Sequence, residues 1–138
     1  WNMARFMEIM VESYEKDSGK KVSFEVPEKN LKKSDKAILK VYEDLIKSVT
    51  ENVDNHRFMD AGNDIYHFMW HTLADEYIEH VKTRDDKEVA LSVLRSVYLG
   101  CLKLLHPFAP FVTEVIWEQI EKPEGESEIL AVADWPKK

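Results

Sequence analysis

The most apolar segment of the sequence is residues 87–105, which read KEVALSVLRSVYLGCLKLL. Its Leu, Val, Tyr and Cys residues fall on almost every side of a helix, so the segment has no polar face to turn toward water. Such a helix belongs in the middle of a helical bundle, where its neighbours cover it. Asp85 or Asp86 is predicted to cap the start of this helix, and Pro107 ends it.

Four further helices are predicted because apolar residues recur at intervals of three and four positions. Asp17, Ser18 and Gly19 end the first helix, Ser34 is predicted to cap the second, and Pro110 begins the last. These helices cover about residues 1–15, 35–54, 59–82 and 110–121, and residues 123–138 are predicted to form a short extended tail. Short connections make long neighbouring helices antiparallel. The sequence therefore predicts an all-α antiparallel bundle of about five helices.

Charge is distributed unevenly along the chain. The net charge of −7 counts against a general nucleic-acid-binding protein, because contacts to phosphates need Lys and Arg. Residues 16–47 nevertheless contain nine lysines against six acids. In an antiparallel bundle, the end of helix one, the start of helix two, the end of helix three and the start of helix four lie together. The basic end predicted in this way contains Lys16, Lys20, Lys21, Lys29, Lys32, Lys33, Lys36, Lys82, Arg84 and Lys87.

The basic end has two interpretations. Runs of charge are most often plain solvated loops. Tyr14 and Phe24 lie beside the lysines, however, and aromatic rings next to positive charge can stack on unpaired bases. The second interpretation is therefore a binding surface for single-stranded RNA.

A histidine pair in the third predicted helix raises the question of a metal site. His67 and His71 stand four residues apart, which is a spacing found in zinc ligands, and Asp64 and Asp75 extend the same stripe. A di-iron bundle would need two Glu-x-x-His pairs, and the nearest match is Asp64 with His67. The stripe is interpreted as a polar helix face with Trp70 turned toward its neighbours. A metal-dependent bundle enzyme that uses Asp64, His67 and His71 stays open as an alternative.

No other catalytic constellation is predicted. Cys101 is the only cysteine, so an intramolecular disulfide is impossible, and its apolar surroundings favour a core residue over a nucleophile paired with His106. The sequence contains no Gly-rich phosphate loop and no G-x-S-x-G motif. No apolar run reaches membrane-spanning length, so no membrane partner is expected. We therefore predict no catalytic, cofactor-binding or metal-binding residue in this chain.

Four segments, in this order, resemble one protein family. They are WNMARF at 1–6, DNHRFMDAGNDIYHFMWHTLADEYIEHVK at 54–82, LLHPFAPFVTEVIWEQI at 104–120 and SEILAVADWP at 127–136. Together they are similar to the anticodon-binding domain of class I aminoacyl-tRNA synthetases of the Val/Ile/Leu group. The pattern formed by Phe68, Trp70, His71, Asp75 and Tyr77 resembles the valyl members most, with the isoleucyl members as the alternative.

The resemblance implies a single anticodon-binding helical-bundle domain over residues 1–138, as a fragment of a larger cytoplasmic synthetase. Its implied partners are a valine tRNA and the catalytic domain of the same chain, with neither DNA nor a membrane. ATP would bind to that catalytic domain, whose His-Ile-Gly-His and Lys-Met-Ser-Lys-Ser motifs are missing from this sequence. No cofactor is therefore expected here, and this fragment alone should not attach valine to tRNA.

Individual RNA contacts are predicted from position and charge, because no motif assigns them. They are Tyr14, Lys16, Lys20, Lys21, Lys32, Lys33, Lys36, Lys82, Arg84 and Lys87. The alternative from a different class is a helical protein-interaction module with no RNA role. That alternative predicts a dispensable basic end and a large exposed apolar patch.

Overall fold

The computed structural model describes residues 1–137, and within them the chain forms helices and loops without a β-strand. The helices are α1 (Asn2–Ser18), α2 (Lys33–Asp54), α3 (Phe58–His67), a π-helical segment (Phe68–Ile78), α4 (Glu79–Lys82), α5 (Lys87–Leu105) and α6 (Pro110–Gln119). The π segment joins α3 to α4 without a break, so these three elements correspond to the third predicted helix. The predicted all-α bundle of about five helices is confirmed.

Helix α5 lies at the centre of the bundle. Thirteen of its nineteen residues are buried, and α1, α2, α3, α4 and α6 all pack against it. Its apolar residues face outward in every direction, so each neighbouring helix can bury its own apolar stripe against α5. None of the described helices is long and apolar enough to cross a bilayer.

The helix ends differ in part from the sequence prediction. Gly19 ends α1 in the left-handed conformation at φ 68°, and its N–H donates to the Glu15 carbonyl, as is usual for a glycine after a helix. The prediction that Ser34 caps α2 is wrong, because α2 begins at Lys33. The carboxylate of Asp35 accepts the N–H of Lys32 at 2.9 Å instead, since a side chain at the third helical position can reach back to the first turn.

The segments outside the helices are fixed by side chains of the bundle. Arg95 of α5 donates to the Val22 carbonyl at 3.2 Å and lies over the Phe24 ring at 3.9 Å from its centroid. The C-terminal tail contains a 3-10 turn at Leu130–Val132, and the indole of Trp135 donates to Thr50 of α2 at 2.9 Å. The α1–α2 loop and the C-terminal tail are therefore both held against the helices of the bundle.

Gly100 of α5 packs closely against Tyr42 of α2. A Cβ added there would lie 1.6 Å from the hydroxyl oxygen of Tyr42. We expect Gly100→Ala to lower the free energy of unfolding by about 1–3 kcal/mol, because the buried ring must move. Urea denaturation followed by circular dichroism measures this change.

Gly62→Ala in α3 is the matched control for this substitution. Its added Cβ would lie 3.9 Å from Phe108, which is an ordinary contact. The loss of glycine's backbone freedom should then stabilise the chain by about 0.5–1 kcal/mol. Gly100→Ala combined with Tyr42→Leu should cost less than the sum of the two single changes. Equal stability of Gly100→Ala and the unaltered chain would contradict the tight contact.

Candidate nucleic-acid interface

The four corners predicted to form the basic end meet in the structure. The hydroxyl of Tyr14 in α1 donates to Glu88 at the start of α5 at 3.3 Å. Lys32, just before α2, forms an ion pair with Asp86 at 3.1 Å. The start of α5 therefore lies against the end of α1, and the α4–α5 loop lies against the start of α2.

A buried ion pair joins these corners. The Arg84 side chain is 2% exposed and the Asp35 side chain is fully buried, and two guanidinium nitrogens donate to the two carboxylate oxygens. Arg84 also donates to Asp86 at 2.7 Å and 2.9 Å, and Tyr77 of the π segment donates to Asp35 at 2.7 Å. This network connects α2, the π segment and the α4–α5 loop.

The network shifts the ionisation of its members. Burial alone would raise the pKa of Asp35, but hydrogen bonds from Arg84, Tyr77 and the Lys32 N–H outweigh it and lower that pKa below its ordinary value. The hydrogen bond from Arg84 also lowers the pKa of Asp86, and burial followed by donation to Asp35 raises the pKa of Tyr77. Both carboxylates are therefore charged at neutral pH, and the arginine is fully compensated.

Arg84 therefore differs from the other predicted RNA contacts. Its guanidinium is occupied by Asp35 and Asp86 and lies away from solvent, so it supports the basic end from within. Sequence inspection grouped it with the lysines because all carry positive charge. Arg84 differs from the lysines because it is paired with Asp35, which is 49 positions earlier in the chain.

The predicted lysines fall into two groups by their surroundings. Three are paired with acids: Lys21 with Glu15 at 3.2 Å, Lys32 with Asp86, and Lys82 with Glu79. Four are exposed and form no ion pair within 4.0 Å of any described residue: Lys16, Lys20, Lys33 and Lys36. Lys87, at the first position of α5, is half-buried. The exposed and unpaired group has its charge available to a phosphate.

The aromatic residues near the basic end are partly engaged within the protein. The Phe24 ring lies against Arg95, and the Tyr14 hydroxyl is bonded to Glu88. Both rings are half-buried. Phe24 is therefore a structural neighbour of α5, whereas Tyr14 keeps part of its ring open beside Lys87, with which it lines a shallow groove.

A second groove lies between α2 and the π segment, and sequence inspection missed it. Helical periodicity places the apolar Val41 three positions after the buried Ile38, but Val41 is 44% exposed and lines this groove. Three residues correspond to 300° around a helix, so Val41 lies roughly 60° from Ile38 at the edge of the apolar stripe. Leu45, Ile46 and Val49 continue the buried face of α2 beyond Ile38.

The histidine stripe lies on the exposed side of the third helix. The rings of His67 and His71 stack with centroids 5.6 Å apart, and the Nδ1 of His71 lies 3.5 Å from the Oδ2 of Asp75. Trp70 is 57% exposed and stacks on Tyr66, so the prediction that it turns toward its neighbours is wrong. A side chain at position 70 points away from the bundle because the buried positions of this stretch are 68, 73, 77 and 78.

Asp64, the other acid of that stripe, has a structural role. Asp64 accepts hydrogen bonds from Ser48 at 2.6 Å and Asn52 at 3.1 Å, which tie α3 to α2. Within residues 1–137, no group of three or more His, Cys, Asp or Glu side chains is arranged to hold a metal ion. Cys101 is buried in α5, and burial raises the pKa of its thiol, so the nucleophilic thiolate is disfavoured.

Asp35→Asn tests the buried network. The folded-state pKa of Asp35 lies below its ordinary value of 3.8, so its contribution is complete above that pH and is lost as the pH falls through the lower folded value. We expect the variant to be about 3 kcal/mol less stable near neutral pH, because Arg84 loses a buried partner. Urea denaturation from about pH 7 down to about pH 2.5 should show this difference shrinking at the acid end.

Asp44→Asn is the matched control, because Asp44 is exposed on the same helix and makes none of these hydrogen bonds. Its stability should stay within about 0.5 kcal/mol of the unaltered chain. A deficit for Asp35→Asn that is constant across the pH range would contradict a role for the ionised carboxylate.

Known proteins share sequence similarity with this chain. Residues 35–138 match the family model described as "Anticodon-binding domain of tRNA ligase". The chain is 39% identical over 140 positions to a valine--tRNA ligase of Fervidobacterium nodosum, 36% over 140 to one of Thermotoga maritima, and 38% over 144 to one of Bacillus thuringiensis. Each alignment covers 99% of this chain and about 15% of the relative's length. The family match covers most of the chain, and the helical bundle agrees with it: this chain belongs to the family of anticodon-binding domains of tRNA ligases.

Proposed function

We propose that this chain binds the anticodon loop of a tRNA through its basic end. The observation that carries the proposal is the group of exposed lysines at one end of an otherwise acidic bundle. An anticodon loop offers phosphates and unpaired bases together, and lysines beside a partly open aromatic ring suit both. Membership in the anticodon-binding family supports the same partner.

The proposed contacts are ranked by their surroundings. Lys16, Lys20, Lys33 and Lys36 contact phosphates directly, since no described acid holds their ammonium groups. Lys21, Lys32, Lys82 and Lys87 add positive potential from the same end, and Tyr14 offers a stacking surface. Arg84 acts indirectly, because its pairing with Asp35 positions α2 against the α4–α5 loop.

The whole protein is proposed to be a valine–tRNA ligase, which attaches valine to its tRNA with the use of ATP. The relatives named above are valine--tRNA ligases, which favours valine over the isoleucine alternative. The catalytic domain, with its ATP site, would belong to the same chain. Binding and catalysis are then divided between domains, and this domain holds the tRNA without cofactor or metal, in the cytoplasm.

A protein-contact role at the opposite end is a second candidate that one observation favours. Met59 is 80% and Phe111 88% exposed, with Phe58, Val112 and Val115 also exposed. Apolar surface of this kind is typical of contacts with protein. It accompanies RNA binding in this proposal, because the basic and apolar surfaces lie at different ends of the bundle.

Replacement of Lys33 and Lys36 by Glu tests the proposed RNA surface. We expect the double variant to bind valine tRNA about tenfold or more weakly at low salt, because two phosphate contacts become repulsive. The slope of log K against log salt should also fall by about 0.7 for each lost single-strand contact. Filter binding or fluorescence anisotropy over a salt series measures both quantities.

Lys47→Glu with Lys137→Glu is the matched control, because these lysines line a groove near the other end of α2 and the net charge changes equally. The control should bind tRNA within about threefold of the unaltered chain. Equal losses for the two double variants would mean that overall charge, and not the basic end, controls binding.

A changed anticodon tests recognition of the loop itself. The chain should bind valine tRNA more tightly than the same tRNA with a substituted anticodon, by about tenfold, because base contacts contribute about 1–3 kcal/mol each. Competition at low and moderate salt measures the ratio. Equal binding of both tRNAs would reduce the basic end to a nonspecific electrostatic surface.

A further inference from the structure

The groove between α2 and the π segment adjoins the basic end and has an apolar floor. Ala37, Ile38 and Val41 of α2 and Tyr77 of the π segment line it, and its cavity volume is about 300 Å³. Val41 is 44% exposed, whereas Ile38 is buried. An apolar floor between two helices offers a stacking surface to a flat ring system, and nucleobases bind to protein surfaces in this way.

The rim of the groove carries polar groups that are not used within the fold. The Oγ of Ser34 is buried and has no hydrogen-bond partner among the described residues. Buried hydroxyls are normally paired, because desolvation of an unpaired one costs free energy. Thr72, Glu76 and His80 line the other side. Ser34 can donate to a ring nitrogen or carbonyl of a base, and the Glu76 carboxylate can accept from an exocyclic amino group.

A row of lysines follows the groove along α2. Lys33, Lys36 and Lys40 are exposed on successive turns and form no ion pair within 4.0 Å of a described residue. Glu43 and Asp44 follow on the next turn, so the positive surface ends there. A short positive row beside an apolar groove matches a single nucleic-acid strand, which presents phosphates on one side and bases on the other.

The far wall of the groove has an unusual backbone. Thr72, Glu76 and Tyr77 belong to the π-helical segment Phe68–Ile78. π-helical turns are rare and occur frequently at functional sites. The hydroxyl of Tyr77 is held by Asp35, so this wall is fixed in place by the same buried network that supports the basic end.

We propose that this groove binds one unstacked base of the RNA, while Lys33, Lys36 and Lys40 contact the phosphates on either side of it. The inference rests on the proposed RNA-binding function and assigns a base-binding site to it. Apolar contact with the exposed side chains of Ala37 and Val41 holds the base, and Ser34 and Glu76 read its polar edge. The groove thus adds base recognition to the phosphate contacts of the lysines.

Ala37→Phe tests the groove, because Ala37 is exposed and a phenyl ring there would fill the apolar floor. The probe is the anticodon stem-loop of a valine tRNA with 2-aminopurine at one loop position at a time. With the unaltered chain, fluorescence at one position should change on binding. Ala37→Phe should abolish that change and weaken binding about tenfold, in keeping with the loss of one stacked base. Ala131→Phe, the same change in the exposed tail, should affect neither quantity.

Ser34→Ala provides a milder variant that keeps the helix intact, and we expect it to weaken binding by about threefold, the effect of one hydrogen bond. If Ala37→Phe and Ser34→Ala bind and report like the unaltered chain while Lys33→Glu with Lys36→Glu binds weakly, the groove inference is overturned and RNA binding stands. If the unaltered chain binds no stem-loop even at low salt, both the groove and the proposed function are overturned.

Discussion

The requirement to cover α5 on all sides governs the rest of the structure. An isolated helix with apolar residues around its whole circumference would leave a large area in contact with water, so five other elements pack around it. The two irregular connections take part as well. Arg95 of α5 fixes the α1–α2 loop through Val22 and Phe24, and the ring of Trp117 in α6 is buried where its indole donates to the Ser127 carbonyl of the tail at 2.9 Å.

The second constraint is the pairing of Asp35 with Arg84. A buried ion pair contributes little net stability, because desolvation offsets most of the attraction, but the loss of one partner is costly. Its consequence here is positional: Tyr77, Lys32 and Asp86 converge on the pair, and the start of α2 is held against the α4–α5 loop. The lysines around it can then differ in function, with some paired at the surface and others left for a ligand.

The negative net charge of the whole chain is compatible with a local basic end. The net charge of −7 means that the chain as a whole repels phosphates, whereas the exposed lysines of the basic end attract them locally. Such a distribution orients an approaching RNA while it limits affinity, and it makes binding strongly dependent on salt. The exposed apolar residues Met59 and Phe111 lie at the other end of the bundle.

The local sequence pattern was sufficient to predict the helices, the central position of residues 87–105 and the placement of the lysines at one end. Helical periodicity and antiparallel connection depend on residues that are close in sequence. The family resemblance also rested on short segments in order. The capping of α2 by Asp35, the exposure of Val41 and Trp70, and the burial of Arg84 were not accessible in this way. Each depends on which distant side chain lies opposite: Arg84 meets an acid 49 positions away, and the groove exists only where the π segment faces α2. Periodicity describes one helix at a time, whereas burial and pairing are properties of the contacts between helices.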